Sequence, residues 1–247
     1  MCTLSWTHYG DNHYEVYFNR DEQRTRLAAI EPQNFVIDNI NCVMPIDSAA
    51  GGSWISTNQF GVTICLLNYY QGQAPLGTLN SRGFVVKMLA SSQSSREVKK
   101  RLLQMDLRSF APFTLVSFDL NRAKHVIAWT WDGTKLTHSI VTAPVISASQ
   151  YYEDAREYRT ALYEKLCLST NEQELGARFH LSVDKDYPHL SPLMSRQDAR
   201  TVSFTSVSVC TEHQAMHYQS IDINGCVDFE IEKKCLMTNM TEQGVFK

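Results

Sequence analysis

Hydrophobic and polar positions alternate along the first twenty residues of the chain. Leu4 and Trp6 are interleaved with Thr3, Ser5 and Thr7. After the cluster Gly10-Asp11-Asn12-His13, Tyr14, Val16 and Phe18 alternate with Glu15, Tyr17 and Asn19. A period of two marks strands, and the glycine-containing polar cluster marks a turn. Residues 3–9 and 14–19 are therefore predicted to form a hairpin with one buried face. Residues 20–26 are dense in charge and break the pattern. A second hairpin, 52–57 and 62–68, surrounds Asn58-Gln59-Phe60-Gly61. Its returning strand, Val62-Thr63-Ile64-Cys65-Leu66-Leu67, is apolar on both faces and is expected to lie centrally in a sheet. Two helices are predicted next. Ser81 would cap the first, which carries Phe84 to Leu89. The second follows the capping-box sequence Ser94-Ser95-Arg96-Glu97. Strands are predicted at 113–118, 125–131 and 134–140. Tyr158, Leu162 and Leu166, at four-residue spacing, predict a helix over 152–167, and 171–179 reads as another. The last predicted strands are 201–209, 215–222 and 226–231. A phase switch after Phe204 marks a bulge, and Asn224-Gly225 marks a hairpin. Strands in hairpin blocks, alternating with pairs of helices, predict an α+β fold. It is a single domain over residues 1–247, with two stacked antiparallel sheets flanked by helices.

Composition removes several functional classes. The 247 residues are 43% hydrophobic and 20% charged, so the chain is neither disordered nor collagen-like. The longest apolar run, Val62 to Leu67, is far short of the ~20 residues of a membrane span. No secretory signal is read at the N-terminus. A net charge of −3 gives no reason to expect nucleic acid. There is no phosphate-binding glycine loop, no dinucleotide fingerprint and no serine-hydrolase elbow. The seven cysteines are Cys2, Cys42, Cys65, Cys167, Cys210, Cys226 and Cys235. They contain no Cys-x-x-Cys pair, so neither structural zinc nor a redox motif is expected, and a reducing, cytoplasmic setting is. Cys65, Cys210 and Cys226 lie in strand-like segments and read as small buried hydrophobes. His213 and His217 have metal-ligand spacing for a helix but straddle a predicted turn and strand start, so no metal site is assigned. His13 reads as a solvated turn residue.

Cys2 differs from the other cysteines by its position. Removal of Met1 would leave it with both a thiol and a free α-amine. That amine, with a pKa of roughly 7.7–8.0, can serve as a general base near neutral pH. The hairpin geometry places the end of the second strand, Asn19-Arg20-Asp21-Glu22, beside the start of the first. An arginine there lowers a neighbouring thiol pKa. An aspartate can orient the ammonium. Asn68, at the end of the central strand, offers an amide donor for an oxyanion. Cys2, Arg20, Asp21 and Asn68 thus form a candidate nucleophilic site. A structural alternative is that Arg20 and Glu22 pin the hairpin to the second sheet.

Met-Cys-Thr-Leu at the start, Tyr17-Phe18-Asn19-Arg20-Asp21-Glu22, and Gly52-Ser53-Trp54-Ile55 through Asn68-Tyr69 resemble the NRDE family, also called the transport and Golgi organisation 2 family. The resemblance is closest over the first ~70 residues. It implies a four-layer αββα sandwich of the N-terminal-nucleophile hydrolase type. The wider superfamily cleaves linear amides with an N-terminal cysteine. Its pattern carries over onto Cys2 as nucleophile, Arg20 and Asp21 as partners, Asn68 as oxyanion donor and Arg200 as a late active-site arginine. One departure is Thr142-Ala143-Pro144, where those hydrolases carry a second asparagine; Ala143 offers no donor. The family's own Leu-Ser-Asn segment is also missing around residues 139–149. Resemblance to this family further implies intracellular haem trafficking and, more loosely, acyl-group metabolism. On that reading the partner is haem or another small hydrophobic ligand, with Cys2 or His8 as the iron ligand. The hydrolase reading needs no cofactor.

Overall fold

The computed structural model describes residues 2–122, 125–221 and 235–239. Strand β1 (Cys2–His8) pairs with β2 (His13–Gln23), placing Cys2 opposite Arg20 and Leu4 opposite Phe18. A second hairpin joins β3 (Ile30–Ile37) to β4 (Ile40–Ile46) through Asp38 and Asn39, both at positive φ. Strands β5 (Ile55–Asn58) and β6 (Val62–Asn68) form the predicted central hairpin. Helices α1 (Gly83–Leu89) and α2 (Ser95–Gln104) come next, then β7 (Phe113–Asp119), β8 (Ile127–Trp131), β9 (Leu136–Ile140) and the short β10 (Val145–Ser147). Helices α3 (Tyr152–Ser169) and α4 (Glu172–His180) precede β11 (Ala199–Cys210), β12 (His213–Ser220) and β13 (Cys235–Asn239).

The strands make two antiparallel sheets. One has the order β10-β1-β2-β11-β12-β13 and the other β3-β4-β5-β6-β7-β8-β9. Helices α3 and α4 pack on the first sheet, and α1 and α2 on the second. The αββα sandwich expected from the sequence is thereby formed. Its main core lies between the sheets, where Leu4, Trp6, Val16 and Phe18 meet Ile55, Cys65, Leu67, Val116 and Phe118. A second core forms where Val62, Ile64 and Leu66, on the other face of β6, meet Val85, Val86, Leu89, Val98 and Leu102 of the helices. Strand β6 is apolar on both faces because both faces are covered.

Several expectations are corrected. The charged residues after Asn19 do not end β2; it runs on to Gln23, because β11 pairs along its whole length. The bulge in β11 lies between Thr201 and Ser203, ahead of Phe204. Ser81 makes no side-chain cap, since Arg82 occupies that position in helical conformation. Ser94 does cap α2, accepting from the Glu97 amide at 3.3 Å. On α3 the fully buried stripe is Ala155, Arg159 and Tyr163, one position on from the predicted one, and the Tyr158 hydroxyl donates to Asp184. Cys65 is buried, but Cys210 is half-buried at the end of β11, with its sulfur 3.2 Å from His213 Nδ1. His13 is also half-buried, 3.1 Å from the Ser208 hydroxyl. The predicted strand 226–231, its Asn224-Gly225 turn and Cys226 lie outside the described residues.

Candidate active site

The β1–β2 pairing explains the site. Side chains alternate across a strand, so Cys2, Leu4 and Trp6 face the second sheet while Thr3 and Ser5 face the helices. On β2 the same alternation sends Phe18 and Arg20 inward and Asn19 and Asp21 outward to α3 and α4. Cys2, 7% exposed, sits at the first position of its strand and opens onto a cavity of about 580 Å³. Arg20, Asn68, Trp54, Tyr70 and Arg82 line the same cavity.

The Arg20 guanidinium lies 4.5 Å from the centre of the Trp54 ring. Its Nη2 donates to Asp47 Oδ2 at 2.8 Å and to Glu22 Oε2 at 3.2 Å. Arg26 closes the quartet, donating to Asp47 from Nη2 at 2.9 Å and approaching Glu22 at 3.5 Å. Asp47 follows β4 in the other sheet, so Arg20 does clip the two sheets together, as the structural alternative anticipated. Burial opposes ionisation of Asp47, but Arg26 and Arg20 outweigh it and hold its carboxyl below the ordinary range.

Asp21 lines the cavity with Cys2 and also has buried structural partners. Its Oδ1 accepts from Thr201 Oγ1 at 2.6 Å, and its Oδ2 lies 3.7 Å from Arg159, both side chains being essentially inaccessible. Arg159 also donates to Leu190 O and to the Thr3 hydroxyl. Asp21 thus braces the sheet against α3 while also lining the Cys2 cavity, where its backbone hydrogen-bonds the Cys2 thiol. Asn19 is a second strut, with Nδ2 donating to the carbonyls of His180 and Pro192 at 2.8 and 2.9 Å.

Asn68 stands at the cavity wall, with Nδ2 donating to the Tyr70 hydroxyl at 2.8 Å. Its carbonyl accepts from Ser147, the residue opposite Cys2 on β10. Burial pushes the Cys2 thiol up to about 11, and the Asp21 charge adds to the rise while Arg20 opposes it. The thiol is therefore held neutral at pH 7 until another group activates it.

Two predicted residues stand apart. His8 is at the far end of β1, about 20 Å from Cys2 at the usual strand rise. Its ring packs edge-on against Tyr14, and burial lowers its pKa. Cys2 and His8 cannot share one ligand site. Arg200 pairs with Glu22 across β11 and β2, but its Nη1 donates to Ile221 O at 2.6 Å and it is not among the cavity-lining residues. Ala143 packs against the core and supplies no side-chain donor. Among the described residues no cluster of three metal-ligating side chains occurs, and no helix is long and apolar enough to cross a membrane. Asp47, Tyr70, Arg82, Ser147 and Arg159 were not singled out from the sequence.

Two sheets sandwiched by helices, with a cysteine at the head of an inner strand, define an N-terminal-nucleophile hydrolase fold. Solved structures agree. A penicillin V acylase from Agrobacterium tumefaciens matches with TM-score 0.52 and 10% identity, over 98% of this chain and 87% of that one. A mutant of the conjugated bile acid hydrolase from Clostridium perfringens matches with TM-score 0.55 and 13% identity, over 97% and 92%. The Caenorhabditis elegans ortholog of N-acylethanolamine-hydrolyzing acid amidase matches with TM-score 0.56 and 12% identity, over 83% and 92%. At these identities the likeness concerns the fold. No curated relative matches the sequence. The family model for Transport and Golgi organisation 2 matches residues 1–225, and the chain belongs to that family.

Proposed function

We propose that the protein is a cysteine amide hydrolase that cleaves a linear acyl amide once Met1 has been removed. The observation that carries this reading is the position of Cys2. It heads an inner strand and opens onto a polar cavity beside Arg20 and the Asn68 amide. Structures of the same fold are, by their names, a penicillin V acylase, a conjugated bile acid hydrolase and an acid amidase, which supports the reaction class.

The chemistry follows from the residues. The freed α-amine of Cys2 takes the thiol proton, and Sγ forms a bond to the amide carbonyl carbon. The oxyanion that develops is held by the Asn68 Nδ2–H not directed at Tyr70. The ammonium returns its proton to the departing nitrogen as the C–N bond breaks, leaving a thioester. Water, deprotonated by the same amine, attacks the thioester; the C–S bond breaks and the thiolate recovers the proton. Arg20, pinned by Asp47 and Glu22, stabilises the thiolate in each half-reaction. The high resting pKa of the thiol gives the free amine its role.

Haem carriage draws its support from family resemblance. The cavity offers it three arginines for acidic groups but no histidine, a mainly polar lining and a protonated Cys2 thiol. The residues do not fit an iron-ligating haem pocket.

Hydrolysis of a panel of N-acyl amides by Met1-free protein, with Cys2→Ala alongside, tests the proposal. Turnover lost in Cys2→Ala is expected. Turnover retained in Cys2→Ala, or none by protein with a mass-verified free Cys2, overturns it. Haemin titration provides the contrasting arm; a saturable Soret shift abolished by Cys2→Ala would favour carriage.

A further inference from the structure

Three arginines and three carboxylates line the Cys2 cavity, but they do not all pair with one another. Arg20 and Arg26 are matched by Glu22 and Asp47 in the closed quartet. The Asp21 carboxylate is committed to Thr201 and Arg159 on the helix side of the sheet. Arg82 is left over. It lines the cavity, and its guanidinium donates from Nη1 to the Pro112 carbonyl at 3.1 Å. Among the described residues no carboxylate forms an ion pair with it. A guanidinium carries five N–H donors, and the Pro112 carbonyl takes one of them.

Arg82 is also held firmly. The next residue, Gly83, approaches Gly52 and Ser53 so closely that a Cβ on it would lie 2.7 Å from the Ser53 nitrogen, and a Cβ on Gly52 would lie 2.7 Å from the Gly83 carbonyl carbon. The Ser53 amide donates to the Gly83 carbonyl at 3.1 Å across this contact. The loop bearing Arg82 is thereby fixed to the segment that carries Trp54, just ahead of β5. Burial lowers the pKa of Arg82, whereas the Tyr70 and Cys2 groups act in the opposite direction. The Glu22 carboxylate also acts on Arg82 but forms no ion pair with it, and a partly desolvated cation gains from a directly bonded counter-charge. A planar guanidinium matches a carboxylate with two parallel hydrogen bonds.

We propose that Arg82 binds a carboxylate carried by the substrate, so that the amide cleaved at Cys2 is a carboxylated one such as an N-acyl amino acid. This rests on the reading of Cys2 as the nucleophile, and it adds the substrate class and the residue that selects it. The carboxylate sits either on the amine side of the scissile bond or on its acyl side, and both give the same chemistry at Arg82.

Calorimetric binding to the full chain carrying Cys2→Ser, which binds without turnover, separates these cases. The probes are N-acetylglycine (carboxylate on the amine side), succinamic acid (carboxylate on the acyl side) and neutral N-acetylglycinamide. At least one acid is expected to bind about tenfold or more tightly than the neutral amide, as befits a charge-assisted pair. Which acid binds tells the side. Adding Arg82→Gln is expected to erase the preference, and Arg82→Lys to restore part of it. Equal binding of acid and neutral probes, a preference that survives Arg82→Gln, or binding of none of the three overturns the proposal. Acid-selective binding without turnover by wild-type protein would sink the hydrolase reading and leave the Arg82 site standing. Turnover of neutral and acidic amides alike would do the reverse.

Discussion

Asp21→Asn tests the division of labour along β2. Asp21 and Arg159 are 0% and 1% exposed, with 3.7 Å between Oδ2 and Nη1. At an effective dielectric of about 20, that separation corresponds to an attraction of about 4–5 kcal/mol. An asparagine keeps most of the shape but removes the charge, leaving Arg159 buried without its counter-ion. Breaking one partner of a buried pair costs about 3–5 kcal/mol. For a chain of this size that corresponds to a fall in Tm of about 6–20 °C. Arg159→Met alone strands the aspartate and should cost a similar amount. The double variant, with both charges gone, should recover most of the loss, because a neutral pair of similar volume tolerates burial. Urea unfolding followed by circular dichroism yields all four corners of the cycle. Single variants costing under about 1 kcal/mol, or a double variant as unstable as the sum of the singles, would refute Asp21 as a strut and return it to the active site.

Other consequences follow from single residues. Asn68→Ala should lower kcat by about 10²–10³ with KM little changed, as for loss of one oxyanion donor; steady-state kinetics on a cleaved amide decide. His180 is buried beneath Ser5, and burial followed by the Arg159 charge pushes its pKa down to about 3. The unfolded chain therefore binds a proton that the native one does not between roughly pH 6.5 and 3. Stability should fall as pH drops through that window, and His180→Gln should flatten this limb in urea titrations even though it costs stability overall. Gly83→Ala forces a Cβ against the Ser53 backbone. It should destabilise by about 1–3 kcal/mol and weaken binding of carboxylated amides, read by thermal melts and calorimetry.

Much of this arrangement was legible in the chain. Alternation in residues 3–9 and 14–19 placed Cys2 beside Arg20, and the two-sided apolar run ending at Asn68 placed that amide at the same end of the sandwich. The same alternation accounts for the helix-side partners of the Asp21 carboxylate. If Phe18 faces the core, Arg20 does too and Asp21 does not. The β3–β4 hairpin leaves little mark in the sequence because most of β3 is exposed and shows no apolar alternation, although Asp38-Asn39 is a strong turn signal. Arg159 and Arg82 carry no local mark. Each acquires its meaning from a contact far away in sequence, one with Asp21 and one across the Gly52–Gly83 approach. Arg200 illustrates the converse. Its place at the start of a late strand matched a family pattern, but its guanidinium donates to the Ile221 carbonyl and Arg200 is not among the cavity-lining residues.

The central claim is that Cys2 becomes acylated. Met1-free protein, mixed with an amide it cleaves and quenched in acid within the first turnovers, can be weighed intact and then mapped by peptide. The account predicts a mass increase equal to the acyl group, located on Cys2 and lost on treatment with hydroxylamine. Turnover with no adduct at any time point, or an adduct on another residue, would contradict it.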